Sequence, residues 1–258
     1  MNTVTPPRTA PAHVSPYRVV AATGVGVFLS ALDSSIVNVS LWTMARSFEV
    51  GMTEIQWVSV AYLLVLTSLM PLGGKLGDRL GKTRVFQAGI LLFTAGSLAC
   101  ALSTSLVLLV SARVFQAVGS SLMTANGLAI VTYFTTRENR GRAMGLNSIT
   151  LAVALAAGPV LGGMLTQLYG WPSIFLVNLP LGLIGYALAR RVVPHTERIR
   201  EVKFDTVGAM LFFVSLFSLV YGVSAVHMSG QQLTAVFIAV SLGTFALLLV
   251  RELSLIHI

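Results

Sequence analysis

Asp33 is the one acidic side chain set deep within a long apolar stretch of this sequence, in LDSSIVNVSL over residues 32–41. Arg113, in LVSARVFQAVGS over 109–120, is the one deep base. An ionised side chain in hydrocarbon is expensive and is retained mainly for a pathway, a partner or a proton site. A carboxyl in such a place is a candidate proton site. Plainer roles compete with this one. Asp33 could cap a local break in its helix, and Arg113 could be a structural base neutralised by backbone carbonyls.

The elements that must position these two charges are membrane helices. Hydrophobic residues make up 55% of the 258 and charged residues only 10%, against about 25% charged in a typical soluble domain. The mean hydropathy is +0.83. The net charge of +8 is dispersed between apolar stretches instead of forming a stripe, which argues against nucleic acid and for a membrane surface. A hydrocarbon core of about 30 Å needs about 20 helical residues. Eight stretches qualify: 19–41, 55–74, 85–103, 106–130, 143–167, 174–190, 206–226 and 233–250. The expected fold is therefore all-α and polytopic. Residues 1–16 read as a flexible tail and 17–190 as a six-helix bundle, followed by a basic loop at 191–205, a two-helix hairpin at 206–251 and a short tail at 252–258.

Basic residues alternate between the gaps and so set an orientation. Arg8 and Arg18, then Lys75 to Arg84, then Arg137 to Arg142, then Arg190 to Lys203 fall on one side, with Arg251. Both termini are expected in the cytoplasm. Asp33 then lies 15 residues from Arg18, roughly 22 Å at 1.5 Å per residue, and Arg113 lies seven residues or roughly 10 Å from the opposite end. The two reach similar depth and are expected to face one polar cavity.

Two further strings carry chemistry. GKLGDRLGKTR, over 74–84, joins two spans through a very short loop with an acid among bases. Such an acid can form a network that exists in one conformation and breaks in another; a basic turn with packing glycines is the plainer account. ALAAGPVLGGML, over 154–165, combines a helix-bending proline with glycines that admit a neighbour. Ordinary small-residue packing is the alternative.

Together these strings resemble the major facilitator superfamily. Gly74, Leu76, Asp78, Arg79, Gly81 and Arg84 match its loop signature, and LDSSIVNVSL is similar to the first-helix motif of its fourteen-helix drug:proton antiporter branch, with Ser35 for threonine and Trp42 for proline. Arg113, Gln116 and Gly119 match the R-x-x-Q-G-x-G motif, with Ala117 departing from it. Gly158, Pro159, Gly162 and Gly163 match the antiporter motif, with Ala154 in place of its first glycine. QWVSVAYLL, RGRAMG, WPSIFLVNLPLG and FDTVGA agree in order, although Pro172 stands where that branch often has arginine.

The resemblance implies a multi-pass protein of a bacterial cytoplasmic membrane that is not an enzyme and exports small hydrophobic or cationic drugs in exchange for protons. It would take its energy from the proton gradient, with no cofactor. Asp33, Arg113 and Gln116 would serve proton coupling, and Gly74, Asp78, Arg79, Gly81 and Arg84 a conformational latch whose acid meets a second six-helix bundle. That bundle is expected to be missing from this chain, which reads as the front part of such a transporter, so the face bearing Asp33 and Arg113 would meet lipid. A solute:proton symporter of the same superfamily, or a non-transporting truncated membrane protein, are the alternatives. No metal site, nucleotide loop or catalytic triad is legible. Cys100 reads as packing, and the four histidines as incidental.

Overall fold

The computed structural model describes residues 15–196, 206–225 and 230–256. Ten helices occur in these segments: α1 (Pro16–Ser47), α2 (Met52–Ile55), α3 (Trp57–Leu80), α4 (Lys82–Ala101), α5 (Leu106–Phe134), α6 (Arg137–Tyr169), α7 (Ser173–Leu176), α8 (Asn178–Val192), α9 (Thr206–Ala225) and α10 (Gly230–Ile256). The short α2 and α7 continue into α3 and α8, because the intervening Gln56 and Val177 keep right-handed helical dihedrals. Pro180 accounts for the second interruption: it lacks the N–H that would bond Leu176 and crowds that carbonyl.

Seven spans among the described residues are long and apolar enough to cross a bilayer; α9 carries a shorter apolar stretch, Met210–Val223. The protein is thus a multi-pass membrane protein. Large apolar side chains cover its outside, among them Val107, Val160, Leu183 and Val250, the surface that a lipid solvent requires.

The helices overrun the expected spans. α1 has 32 residues, about 48 Å against a hydrocarbon core of about 30 Å. Hydropathy marks where a helix leaves lipid, not where its hydrogen bonding stops. The tail expected at 1–16 gives way to helix at Pro16, where a proline at N1 loses no helical bond. α10 continues through residues expected to form a terminal tail. Residues 1–14, most of the basic loop including Arg200, and Phe204 and Asp205 lie outside the described residues.

Inside, α4 packs closely on α5, α1 on α6, and α3 on α5, while α9 and α10 pair and α9 rests against α3. Trp57 and Tyr221 form the aromatic part of that last contact, 5.4 Å between ring centroids. The backbones of α4 and α5 come closest: a Cβ at Gly119 would fall on the Phe93 backbone nitrogen, and one at Gly96 would stand 2.6 Å from Gln116 Cα. Ala117, where the family motif has glycine, sits instead in an apolar cluster with Phe86, Ile90 and Phe93, so the close approach does not depend on it.

Candidate functional site: a buried ion pair

Asp33 and Arg113 meet directly. α1 and α5 bring them to the same depth, and Arg113 Nη1 donates to Asp33 Oδ2 at 2.5 Å. Each is only 1% exposed. They are enclosed within the bundle instead of opening onto a cavity or onto lipid, because α3, α4 and α8 supply a polar lining. Gln116, one turn beyond Arg113, accepts from its Nη1 at 2.6 Å and donates through Nε2 to Asp33 Oδ1 at 2.9 Å and to Ser97 Oγ at 2.7 Å. Asn178 Nδ2, from α8, donates to the same Asp33 Oδ1 at 2.8 Å. Cys100 also joins, its thiol donating to Gln116 Oε1 at 3.5 Å.

The arginine has further support. Its Nε donates to the Val58 carbonyl at 3.1 Å, so the backbone-neutralised role also has a physical counterpart. Its guanidinium stands 3.9 Å from the centroid of the Tyr62 ring, a cation–π contact that strengthens when water is excluded. Tyr62 Oη in turn donates to Ser120 Oγ at 2.8 Å, and Ser30 Oγ lies 2.7 Å from Ser120 Oγ. The ion pair is thus one end of a polar layer that crosses α1, α3, α4, α5 and α8. Chemically, the layer holds one carboxylate against one permanent cation. A proton added to Asp33 would cancel the pair and give at least one of its donors an O–H to face, so the packing has reason to differ between the two charge states. Asp33 is not capping a break, since α1 runs through it uninterrupted.

Asn178, Ser97, Tyr62, Ser30 and Ser120 are the members that sequence reading misses. Asn178 stands within WPSIFLVNLPLG, and a polar amide amid apolar residues was its available signal. Serines and tyrosines are too common in membrane helices to mark a site.

The latch string folds differently from the expected loop. Helix α3 runs through Gly74, Asp78 and Arg79 to Leu80, and α4 begins at Lys82. The whole connection is Gly81, with φ of 99°, a backbone region that side-chain-bearing residues disfavour. Lys75, Asp78 and Arg79 are compatible with helix, and their charge signals only that this end has left hydrocarbon. Asp78 pairs with Lys82 one turn on. Arg79 and Arg84 are exposed, and no neighbour comes within reach of a Cβ at Gly74. Gly77 is the helix-packing glycine: a Cβ there would overlap Asn126 Oδ1 of α5. The segment after α8 returns to this end, where Thr83 Oγ1 donates to the Pro194 carbonyl at 2.7 Å and Thr83 N to Thr196 Oγ1 at 3.3 Å. The Gly81 and Thr196 connections therefore share one side, as alternation of the spans requires.

The antiporter string lies in α6 against α1. A Cβ at Gly158 would fall on Ser35 Oγ, and one at Gly162 would stand 3.1 Å from the Ile36 carbonyl. Pro159 is exposed and Gly163 touches nothing within Cβ reach. The motif therefore splits into a contact face, Gly158 and Gly162, and an outward face, Pro159 and Gly163.

A helical bundle with a charged pair buried at its centre and no strand among the described residues is the architecture of a polytopic membrane protein. The Major Facilitator Superfamily pattern matches residues 23–254, and the chain belongs to that superfamily, whose members are membrane transporters and not enzymes. It is 37% identical over 229 residues to the riboflavin transporter RibZ of Clostridioides difficile, covering 88% of this chain and 49% of that one. It is 38% identical over 203 residues to the multidrug resistance protein Stp of Mycobacterium tuberculosis, covering 78% and 38%. The proton:xylose symporter XylE shares the fold at a TM-score of 0.62 and 11% identity, covering 90% of this chain and 53% of that one. The chain spans half or less of the length of these two curated relatives.

Proposed function

We propose that these residues form the first half of a proton-coupled efflux transporter of the fourteen-helix drug antiporter branch, with Asp33 as its proton site. The observation that carries this reading is the buried Asp33–Arg113 pair. Protonation removes the charge on Asp33 while Arg113 keeps the Val58 carbonyl, Gln116 and the Tyr62 ring, so α1 is released from α5 more readily than α5 is disturbed. A population shift between two facing states follows, provided that the two states differ in their affinity for the proton. A second six-helix bundle, beyond this chain, supplies the other wall of the substrate site. Asp78, with Arg79 and Arg84, latches the bundles at the cytoplasmic end.

Export is favoured over import by the G-P-x-x-G-G string of α6 and by relatives named for drug resistance. A second reading is symport of a solute by the same fold; similarity to a protein named a riboflavin transporter supports a cargo other than a drug and says nothing of direction. Everted vesicles from an efflux-deficient bacterium expressing the locus separate the two. Drug accumulation with proton release supports antiport, and solute movement accompanied by protons in the same direction supports symport. Asp33→Asn is expected to abolish dependence on the pH gradient; unchanged dependence refutes the proton site. On this reading the purified 258 residues alone do not move drug in proteoliposomes, and robust gradient-driven movement by them would overturn the two-bundle requirement.

The proposed orientation places both termini and the basic connections in the cytoplasm. His195 is exposed, whereas its neighbour Thr196 is buried against Thr83, so His195→Cys is the position to label. Modification from outside intact cells would contradict the orientation.

A further inference from the structure

Pro159 has no N–H, so the carbonyl four residues earlier, that of Leu155, loses its helical donor. The structure supplies another: Ser35 Oγ of α1 donates to the Leu155 carbonyl at 2.9 Å. Glycine at 158 is what admits the hydroxyl, because a Cβ there would occupy its place. Beyond the proline a second tie joins the same helices, with Ser40 Oγ 2.8 Å from Thr166 Oγ1. Helix α6 is therefore pinned to α1 on both sides of its proline. The inner pin sits two residues from Asp33, whose own side chain is held by α5 and α8.

We propose that Ser35 is a positioning residue: its hydroxyl stands in for the N–H that Pro159 lacks and ties the bend of α6 to the turn of α1 that carries Asp33. A rearrangement of α1 on proton loading is then passed to the bend of α6 through this bond. A threonine would serve as well, since only the hydroxyl is needed. The transport consequence rests on the reading of Asp33 as the proton site; the bond and its role in holding α6 do not.

The test is a cycle between the two partners, read on the purified chain by thermal unfolding. Pro159→Ala returns an N–H to the Leu155 carbonyl and should make Ser35 dispensable. Ser35→Ala is expected to lower the unfolding midpoint by about 2–4 °C, Ser35→Thr to leave it in place, and Ser35→Ala to have no further effect on Pro159→Ala. Equal losses in the two backgrounds would overturn the proposal.

A second measurement reads geometry. Spin labels are placed through Ile149→Cys and Leu168→Cys, exposed positions on either side of Pro159, with Cys100→Ser as background. Their distance distribution should broaden with Ser35→Ala and recover with Ser35→Thr. An unchanged distribution in Ser35→Ala would refute the positioning role. Failure of Asp33→Asn to alter proton coupling would remove the proton-site reading and leave this cycle untouched, so the two ideas fail separately.

Discussion

Asp33 and Asp78 sit at opposite extremes of this fold. Asp33, 1% exposed, takes hydrogen bonds from Arg113 and Gln116 of α5 and from Asn178 of α8. Asp78, 32% exposed, is paired with Lys82 across the one-residue break at Gly81. Three helices must keep their places for Asp33 to keep its partners, whereas the Asp78 pair needs only one turn of local chain. A change at Asp33 is therefore felt by the whole bundle at once. A change at Asp78 leaves the bundle as it is, and its larger consequences must come from something that approaches this end from outside.

The strongest way to break that contrast is at Arg113. Arg113→Ala leaves Asp33 buried without its countercharge, and removing one partner of a buried pair costs about 3–5 kcal/mol. Unfolding of the purified chain in micelles should register a loss of that size. Asp33→Asn, although it keeps the shape of the side chain, should also destabilise, because it leaves the guanidinium without an anion. Combining Asp33→Asn with Arg113→Gln should recover part of the loss, since no net charge then remains buried. A double variant as unstable as the sum of its parts would argue that the pair is not the unit described here.

Smaller losses are expected beneath the latch. Gly77→Ala drives a Cβ into Asn126, whose amide donates to the Gly73 and Leu122 carbonyls at 2.9 and 2.8 Å. Overpacking of this kind costs about 1–3 kcal/mol. Gly81→Ala forces a side-chain-bearing residue to a φ of 99° and should cost about 1–2 kcal/mol. Both can be read from unfolding of the same preparation. If either variant is neutral, α3 and α4 are free to shift at this end, and the close contact at Gly77 or the constraint at Gly81 is not what holds them.

What could be read from the sequence follows the same division. Span counting placed Asp33 and Arg113 at one depth because helical rise is constant and orientation follows from the basic residues. Two expensive side chains at one depth then have reason to meet. Their lining was not legible, since Ser97, Tyr62 and Asn178 become neighbours only through the packing of α3, α4 and α8 around α5. At the latch the motif residues were legible but their conformation was not. Charge was read as loop, although Lys75, Asp78 and Arg79 continue α3, and only Gly81 breaks the helix. The glycines divide likewise: Gly158 and Gly162 make the close contacts their motif suggests, a Cβ at Gly74 or Gly163 would meet nothing, and Gly77 and Gly96 carry close approaches that sequence reading did not single out.

The smallest expected effect on stability falls at Asp78 itself. Its pair with Lys82 joins partly exposed groups, where such interactions contribute about 0.2–1 kcal/mol. Asp78→Asn keeps the volume and the capacity to accept a hydrogen bond, so unfolding of the chain should shift by less than about 0.5 kcal/mol. On the proposed latch role, transport by the complete carrier should nevertheless fall, because the carboxylate is then the group that a second bundle engages when this end closes. The comparison to make is turnover against folded protein in the membrane, measured on the same cells. Loss of turnover with normal protein levels separates the acid that works between bundles from the one that works inside a bundle. Equal loss of both would mean that Asp78, like Asp33, is held by the fold it belongs to, and the contrast between the two acids would collapse.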